Sequence, residues 1–233
     1  MAHSKVKDRI SVLIPAFNAG SYLAEALESA LSQKVDANLE VIVADDGSTD
    51  DTAEICARYP RVQYLYQENR GVSAARNLLL RKMTGDFAAF LDADDLWLPG
   101  KLAGQLSFLK EHPEVPFVGC EVCNFSGKVP EPPYKEDGNS VHYLIPCLIR
   151  KEVLKKTGLF REDLSVGEDS EYRFRMRSLG ISGEAVIPEV YLLRRVHESN
   201  LSAASGRSVE KDLSAVLRKR IQEHYENRNR NIF

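Results

Sequence analysis

The stretch FLDADDLWLP, residues 90–99, places three carboxylates within four positions directly after an apolar run. If Asp92, Asp94 and Asp95 were all ionised and about 4 Å apart, each contact would cost roughly 4 kcal/mol at an effective dielectric near 20. A shared divalent cation removes that cost. Ligands made only of oxygen suit Mg2+ or Mn2+, which bind one or two carboxylates and complete their shells with substrate phosphates. The ordinary alternative is an acidic loop in which Asp95 or a neighbour helps start a helix. An EF-hand is excluded. Counted from Asp92, position six is Trp97 where glycine is required, and position twelve is Ala103 where glutamate is required.

A further acidic pair stands in a similar setting: Asp45 and Asp46 follow the apolar run LEVIVA. A crevice lined by Asp45, Asp46, Asp92, Asp94 and Asp95 repels a bare phosphate but attracts one through a cation. The chain has no GxGxxG after its first apolar run and no GxxxxGK[ST], so the usual backbone cradles for a dinucleotide or a triphosphate are absent.

These residues need elements to hold them. ISVLI (10–14), LEVIVA (39–44), VQYLY (62–66) and FAAFL (87–91) are short runs rich in β-branched and aromatic residues. Most are nearly continuous, as strands buried on both faces are. Helical patterns separate them. In SYLAEALESALSQ, Leu23, Ala26, Leu27, Ala30 and Leu31 share one face behind Ser21 as N-cap. Ser48 and Asp51 suggest a capping box, and Gly85 a helix terminator after SAARNLLLRKMT. Alternating strands and helices predict βαβ units around a parallel sheet. In such a sheet ligands bind beyond the carboxyl ends of the strands, where the loops carrying Asp45, Asp46, Asp92, Asp94 and Asp95 would converge.

The second half is less regular. It predicts a helix from Pro99, a strand over PFVGCEVCNF, a loop over 127–142 with three prolines, and a short strand and helix ending at Gly158. A helix over EDSEYRFRMRSLG and a strand over AVIPEVYLLRRV follow. From Arg207 an amphipathic helix is expected, fraying after Glu226, with Leu213, Val216, Leu217 and Ile221 on one side.

Composition bounds the class. The 233 residues are 43% hydrophobic and 28% charged, with net charge −3, which is ordinary for a soluble domain and argues against a general nucleic-acid binder. No apolar run approaches the ~18 residues of a membrane span, and the N-terminus lacks a signal-peptide core. A cytoplasmic location is expected, with a membrane-peripheral position open through the basic tail. The four cysteines are too few for a disulfide scaffold. Cys120 and Cys123 lie three apart on a strand, pointing to opposite faces, and lack the second ligand pair of a zinc knuckle.

VLIPAFNAGSYLAEALESALSQ, EVIVADDGSTDDT, NRGVSAARN, FLDADDLWLPGKL and VGEDSEYRFRM resemble, in order, the signature stretches of family 2 glycosyltransferases. The likeness runs from about Ile10 to His197. It implies a single α/β domain of the GT-A fold, with a Rossmann-like, mostly parallel central sheet flanked by helices. It also implies a nucleotide-diphosphate-sugar donor, a Mn2+ or Mg2+ ion, and inverting transfer to a hydroxyl of a glycan or lipid-linked acceptor. The donor half would span about 8–100 and the acceptor half about 101–200, with 201–233 a helical tail able to meet a second subunit or a membrane surface.

The resemblance also implies roles. Pro15, Phe17 and Asp46 would hold the donor base, most often a uracil, with Phe17 over the base face. For Pro15 and Phe17 the bland alternative is a strand-ending turn, and for Asp46 it is helix capping. Arg76 would reach the nucleotide or its phosphates; otherwise it is a solvated helix face. Asp92 would hold ribose or metal-bound water, Asp94 the cation itself, and His197 the cation or the diphosphate. Asp169 would be the general base that takes the acceptor's proton, favoured as a carboxylate by the helix N-terminus, with Glu168 orienting the acceptor. Arg194 and Arg195 bring positive charge towards the leaving group. Two rivals stand beside this reading. One is a sugar-nucleotide-binding domain without turnover. The other is a DxD phosphatase, which would need its DxD strand near the N-terminus.

Overall fold

The computed structural model describes residues 7–135, 144–164 and 167–198. The donor-side half alternates as expected. β1 (Arg9–Ala16) leads to α1 (Leu23–Leu31), β2 (Asn38–Asp45) to α2 (Thr52–Ala57), and β3 (Val62–Tyr66) to α3 (Val72–Lys82), before β4 (Phe87–Phe90). β5 (Leu96–Trp97), α4 (Lys101–Glu111), β6 (Phe117–Phe125), β7 (Leu148–Arg150), α5 (Lys151–Thr157), α6 (Glu168–Ser178) and β8 (Ala185–Arg195) complete the described elements.

All eight strands form one sheet in the order β3-β2-β1-β4-β7-β6-β8-β5. The first four are parallel, as the buried apolar runs require. β7 is antiparallel to both β4 and β6, and β5 is antiparallel to β8. Strand residues feed the two faces in alternation. Ile10, Val12 and Ile14 pack with α1, α2 and α4 through Leu27, Ile55 and Leu106. Leu13, Ile42 and Phe90 pack on the other face with α3, α5 and α6 through Leu79, Leu154 and Tyr172. Each fully buried Leu, Ile or Phe contributes about 1.5–3 kcal/mol, so the two layers lock the sheet from both sides.

Several helix ends differ from the sequence expectation. Ser21 does not cap α1; Tyr22 holds that position without a side-chain bond. Ser48 and Asp51 form no capping box. Instead the Ser48 hydroxyl accepts from the Asn18 amide at 2.8 Å and Asp50 accepts from the Gly20 amide at 2.8 Å, which ties the loop after β1 to the loop after β2. At Ser48 a tertiary partner has taken the hydroxyl that a local cap would use. α3 ends at Lys82, before Gly85. Gly85 is needed for close approach, because a Cβ there would lie 2.5 Å from the Ser11 hydroxyl. β5 was not foreseen: two residues carry no periodicity, and pairing with β8 a hundred residues later creates it. All four cysteines are free and buried, with Cys120 and Cys123 in different clusters, as their spacing on a strand requires.

Candidate active site

The carboxyl ends of β1, β2 and β4 bring their loops together as expected. After β1, Phe17 is 53% exposed, so its ring face is open to a ligand, whereas Pro15 is buried within the strand. After β2, Asp45 and Asp46 are both buried and already engaged. Asp45 accepts from the Tyr64 hydroxyl at 2.7 Å and the Ser48 amide at 2.8 Å. Asp46 accepts from the Gln67 side-chain amide at 2.6 Å and from the main-chain amides of Arg70 at 2.9 Å and Gly71 at 2.7 Å. Asp46 therefore orders the loop that leads into α3, and one lone-pair position on Oδ2 is left for a further donor. Gly71 begins that helix at φ 89°, a left-handed conformation that favours glycine.

Arg76 is not on a solvated face. It is 4% exposed, and its guanidinium faces three carboxylates from two parts of the chain. Nη1 donates to Glu168 at 2.8 Å and Asp169 at 2.9 Å, while Nη2 lies 3.4 Å from Asp92. The Phe160 ring lies beneath, 5.6 Å from the guanidinium carbon. Asn77, one residue on, pins Phe160 by both of its main-chain groups, at 2.9 and 2.7 Å. Arg70 binds Glu162 at 2.8 Å, and Asn77 reaches the same carboxylate at 2.9 Å. These bonds draw the chain before α6 against α3.

Glu168 and Asp169 occupy the first turn of α6 behind Gly167, and neither caps it. Burial raises the Asp169 carboxyl above its usual range. Arg76 pulls it down, Glu168 pushes it up, and Arg173 pulls it down again. The helix terminus expected to favour its ionised form is thus outweighed by loss of water. Asp92 is raised in the same direction by burial, against Arg76, with Asp94, Asp169 and Glu168 adding to the rise.

The acidic turn itself is compact. One oxygen each from Asp92, Asp94 and Asp95 lie within 4.8 Å of one another, the single such acidic or imidazole group among the described residues. The three are not equivalent. Asp95 is buried, accepts the Arg195 amide at 2.9 Å, and is raised well above the usual range by burial and by Asp92 and Asp94. It acts within the turn. Asp92 and Asp94 are a third and a quarter exposed at their side chains, and Asp94 Oδ2 lies 2.9 Å from His197 Nε2. Oxygen donors beside one imidazole are a chemically suitable set for Mn2+ or Mg2+.

Sequence reading missed what supports His197. Tyr22 stacks on its ring at 4.8 Å. Arg195, expected to bring charge towards a leaving group, is instead buried and bonded into the fold. Nothing in residue type or spacing links Tyr22 to His197, far away along the chain. His112 is half exposed beside Glu114, while His142 and His224, the C-terminal helix and most of the expected loop's second half lie outside the described residues. Among the described residues no helix is long and apolar enough to cross a membrane.

Comparison with known proteins places this geometry in context. The model of glycosyl transferase family 2 matches residues 11–167. An uncharacterized glycosyltransferase of Rickettsia typhi is 30% identical over 219 residues, 86% of this chain and 68% of that protein. Another, from Rickettsia bellii, is 41% identical over 116 residues, 48% of this chain and 17% of its own length. The chain therefore spans well under a third of some of its relatives. Crystal structures agree in fold. S. aureus TarS 1–349 in complex with UDP-GlcNAc superposes with a TM-score of 0.72 at 25% identity, covering 84% of this chain and 61% of that one. A mannosyltransferase from Pyrobaculum calidifontis in complex with GDP-Man and Mn2+ gives 0.67 at 25% identity, over 85% of this chain and 60% of that one.

Proposed function

The chain belongs to glycosyl transferase family 2 and has the GT-A fold, and from that premise we propose that it transfers a sugar, with inversion, from a nucleoside diphosphate donor to a hydroxyl acceptor. The observation that carries the proposal is the convergence on Arg76. One guanidinium draws the acidic turn after β4 and the acidic pair opening α6 into one site. Two carboxylate groups with different tasks then stand side by side.

Asp169 is the general base. It takes the proton of the acceptor hydroxyl as that oxygen bonds to the anomeric carbon. The bond from that carbon to the diphosphate oxygen breaks on the opposite face, and the nucleoside diphosphate leaves with the electron pair. A raised carboxyl is the stronger base, and Arg76 opposes the rise and so favours the ionised form that accepts the proton. Glu168, on the same guanidinium, orients the acceptor.

Asp94, with Asp92 and His197, would hold a divalent ion, Mn2+ or Mg2+. When bound, the ion would neutralise charge on the donor's diphosphate. Phe17 offers the exposed ring for the nucleobase, and Pro15 and Asp46 shape the floor and the loop around it. A UDP-sugar is the first donor to test, since the TarS complex holds UDP-GlcNAc while the other neighbour holds GDP-Man. The donor half over 8–100, the acceptor half over 101–200 and a glycan or lipid-linked acceptor belong to the same proposal. Four free thiols fit a reducing compartment such as the cytoplasm.

The test is incubation with Mn2+ and a panel of nucleotide sugars, with and without candidate glycan acceptors, and measurement of free nucleoside diphosphate. Release that depends on acceptor is expected. Tight binding without release from any donor would instead favour a sugar-nucleotide-binding domain.

A further inference from the structure

Arg195 ends β8 and is 7% exposed, and two of its polar groups, the main-chain amide and Nε, are directed at the acidic turn. Its main-chain amide donates to Asp95 Oδ1 at 2.9 Å, and Nε donates to the Asp94 carbonyl at 3.1 Å. Nη1 lies 3.5 Å from the Gly127 carbonyl, and Nη2 pairs with Glu25 on α1. The guanidinium carbon is 4.8 Å from the Tyr22 ring centre and 4.7 Å from that of Phe125. Tyr22 in turn stacks on His197, whose Nε2 meets Asp94 Oδ2.

We propose that Arg195 is a positioning residue for the divalent-ion site: by holding the Asp94 carbonyl and the Asp95 carboxylate it presets the turn, and through Tyr22 it presets His197. The inference rests on the metal-assisted reading of this site. Three carboxylates confined to one turn repel and would splay apart without an ion. A cation that gripped their ligand oxygens would compete with the metal. Arg195 avoids that competition, because its guanidinium bonds the main chain of Asp94 and leaves the Asp94 carboxylate to other partners. Arginine suits the task where lysine does not. A planar fork can serve Asp94, Gly127 and Glu25 in three directions while its faces meet aromatic rings, whereas an ammonium is a compact, strongly hydrated point charge.

The experiment uses the full chain with Mn2+ and UDP as the probe. Mn2+ uptake is read from loss of the free-ion electron paramagnetic resonance signal, and melting temperature is measured separately in EDTA. Arg195→Lys is expected to melt close to the wild type in EDTA but to bind Mn2+ with UDP about tenfold more weakly, as losses around a metal site typically do. High Mn2+ should restore its kcat, because the ligands themselves are intact. Glu25→Gln, changed on the half-exposed side of the guanidinium, should weaken uptake in the same direction and to a smaller extent.

Uptake within twofold of wild type in both variants would overturn the proposal. So would weakened uptake that appears only in parallel with a collapsed melting temperature, for that is a purely structural role. If the wild-type protein itself takes up no Mn2+ with UDP or GDP, the metal reading fails first, and this inference falls with it.

Discussion

Asp169 and Arg76 are joined at 2.9 Å although 93 residues separate them, and the same guanidinium reaches Asp92 from its other nitrogen. Asp169 and the acidic turn are therefore linked through one cation, and a change at Arg76 is felt at both.

Replacing Arg76 by methionine should raise the Asp169 carboxyl further. Burial already raises it and Arg76 is the strongest opposing influence, so its removal leaves burial and Glu168 unopposed except by Arg173. A base is active only when ionised, so the acid limb of the kcat profile should move to higher pH. Activity at neutral pH should fall about a hundredfold, within the range for loss of general-base catalysis. Initial rates between pH 5 and 9 check this; an unmoved acid limb would refute the assignment of Asp169.

Asp94→Ala and Asp169→Asn should fail in different ways. The first is expected to abolish Mn2+-dependent donor binding. The second should keep donor affinity, because in the proposed arrangement Asp94, not Asp169, holds the ion that meets the diphosphate, and lose about 10²–10⁴-fold in transfer. Calorimetry with donor and Mn2+, set beside steady-state rates, separates the two. Wild-type transfer by Asp169→Asn would show that another group takes the proton.

Phe17→Ala should raise the donor KM about tenfold with little change in kcat. An aromatic face under a base contributes about 1–3 kcal/mol, and Phe17 is exposed with little packing to lose. Equal donor KM in mutant and wild type would remove Phe17 from the base site.

Asp95→Asn should stabilise the metal-free protein at pH 7.5. The folded-state carboxyl titrates well above its unfolded value, so above that folded value the protein carries a charge it would rather neutralise. Stability is therefore lost as pH rises through the folded value and regained as pH falls below it. Asparagine keeps the oxygen that accepts the Arg195 amide and removes the charge. A gain of about 1 kcal/mol corresponds to about 2–4 °C in a domain of this size. Melting in EDTA should show the gain at pH 7.5 and its shrinkage towards pH 5.

Legibility in the sequence followed how local each cause is. β1, β2 and β4 could be read because a parallel strand buried on both faces writes a continuous apolar run, whatever its neighbours, and β3, a half-buried edge strand, by its β-branched and aromatic residues. Asp92 and Asp94 stood out among three crowded carboxylates directly after an apolar run, whereas Glu168 and Asp169 stood out only through the resemblance of the ordered motifs. Ser48 misled because capping competes with longer-range bonds, and the Asn18 amide took its hydroxyl. Asp46 looked like a free ligand group, and only the folded loop shows three donors already on it.

Residue order alone determined that this chain forms a doubly wound α/β sheet with acidic loops at one edge, since periodicity and charge spacing are properties of neighbours along the chain. What the tertiary structure decided is which charges meet. Arg76 became the bridge between two acidic groups, and Arg195 became a buried brace behind the acidic turn. Neither pairing has a local signature, because a guanidinium chooses its partners by distance in space, and that distance exists only once β8 has paired beside β5 and α6 has closed against α3.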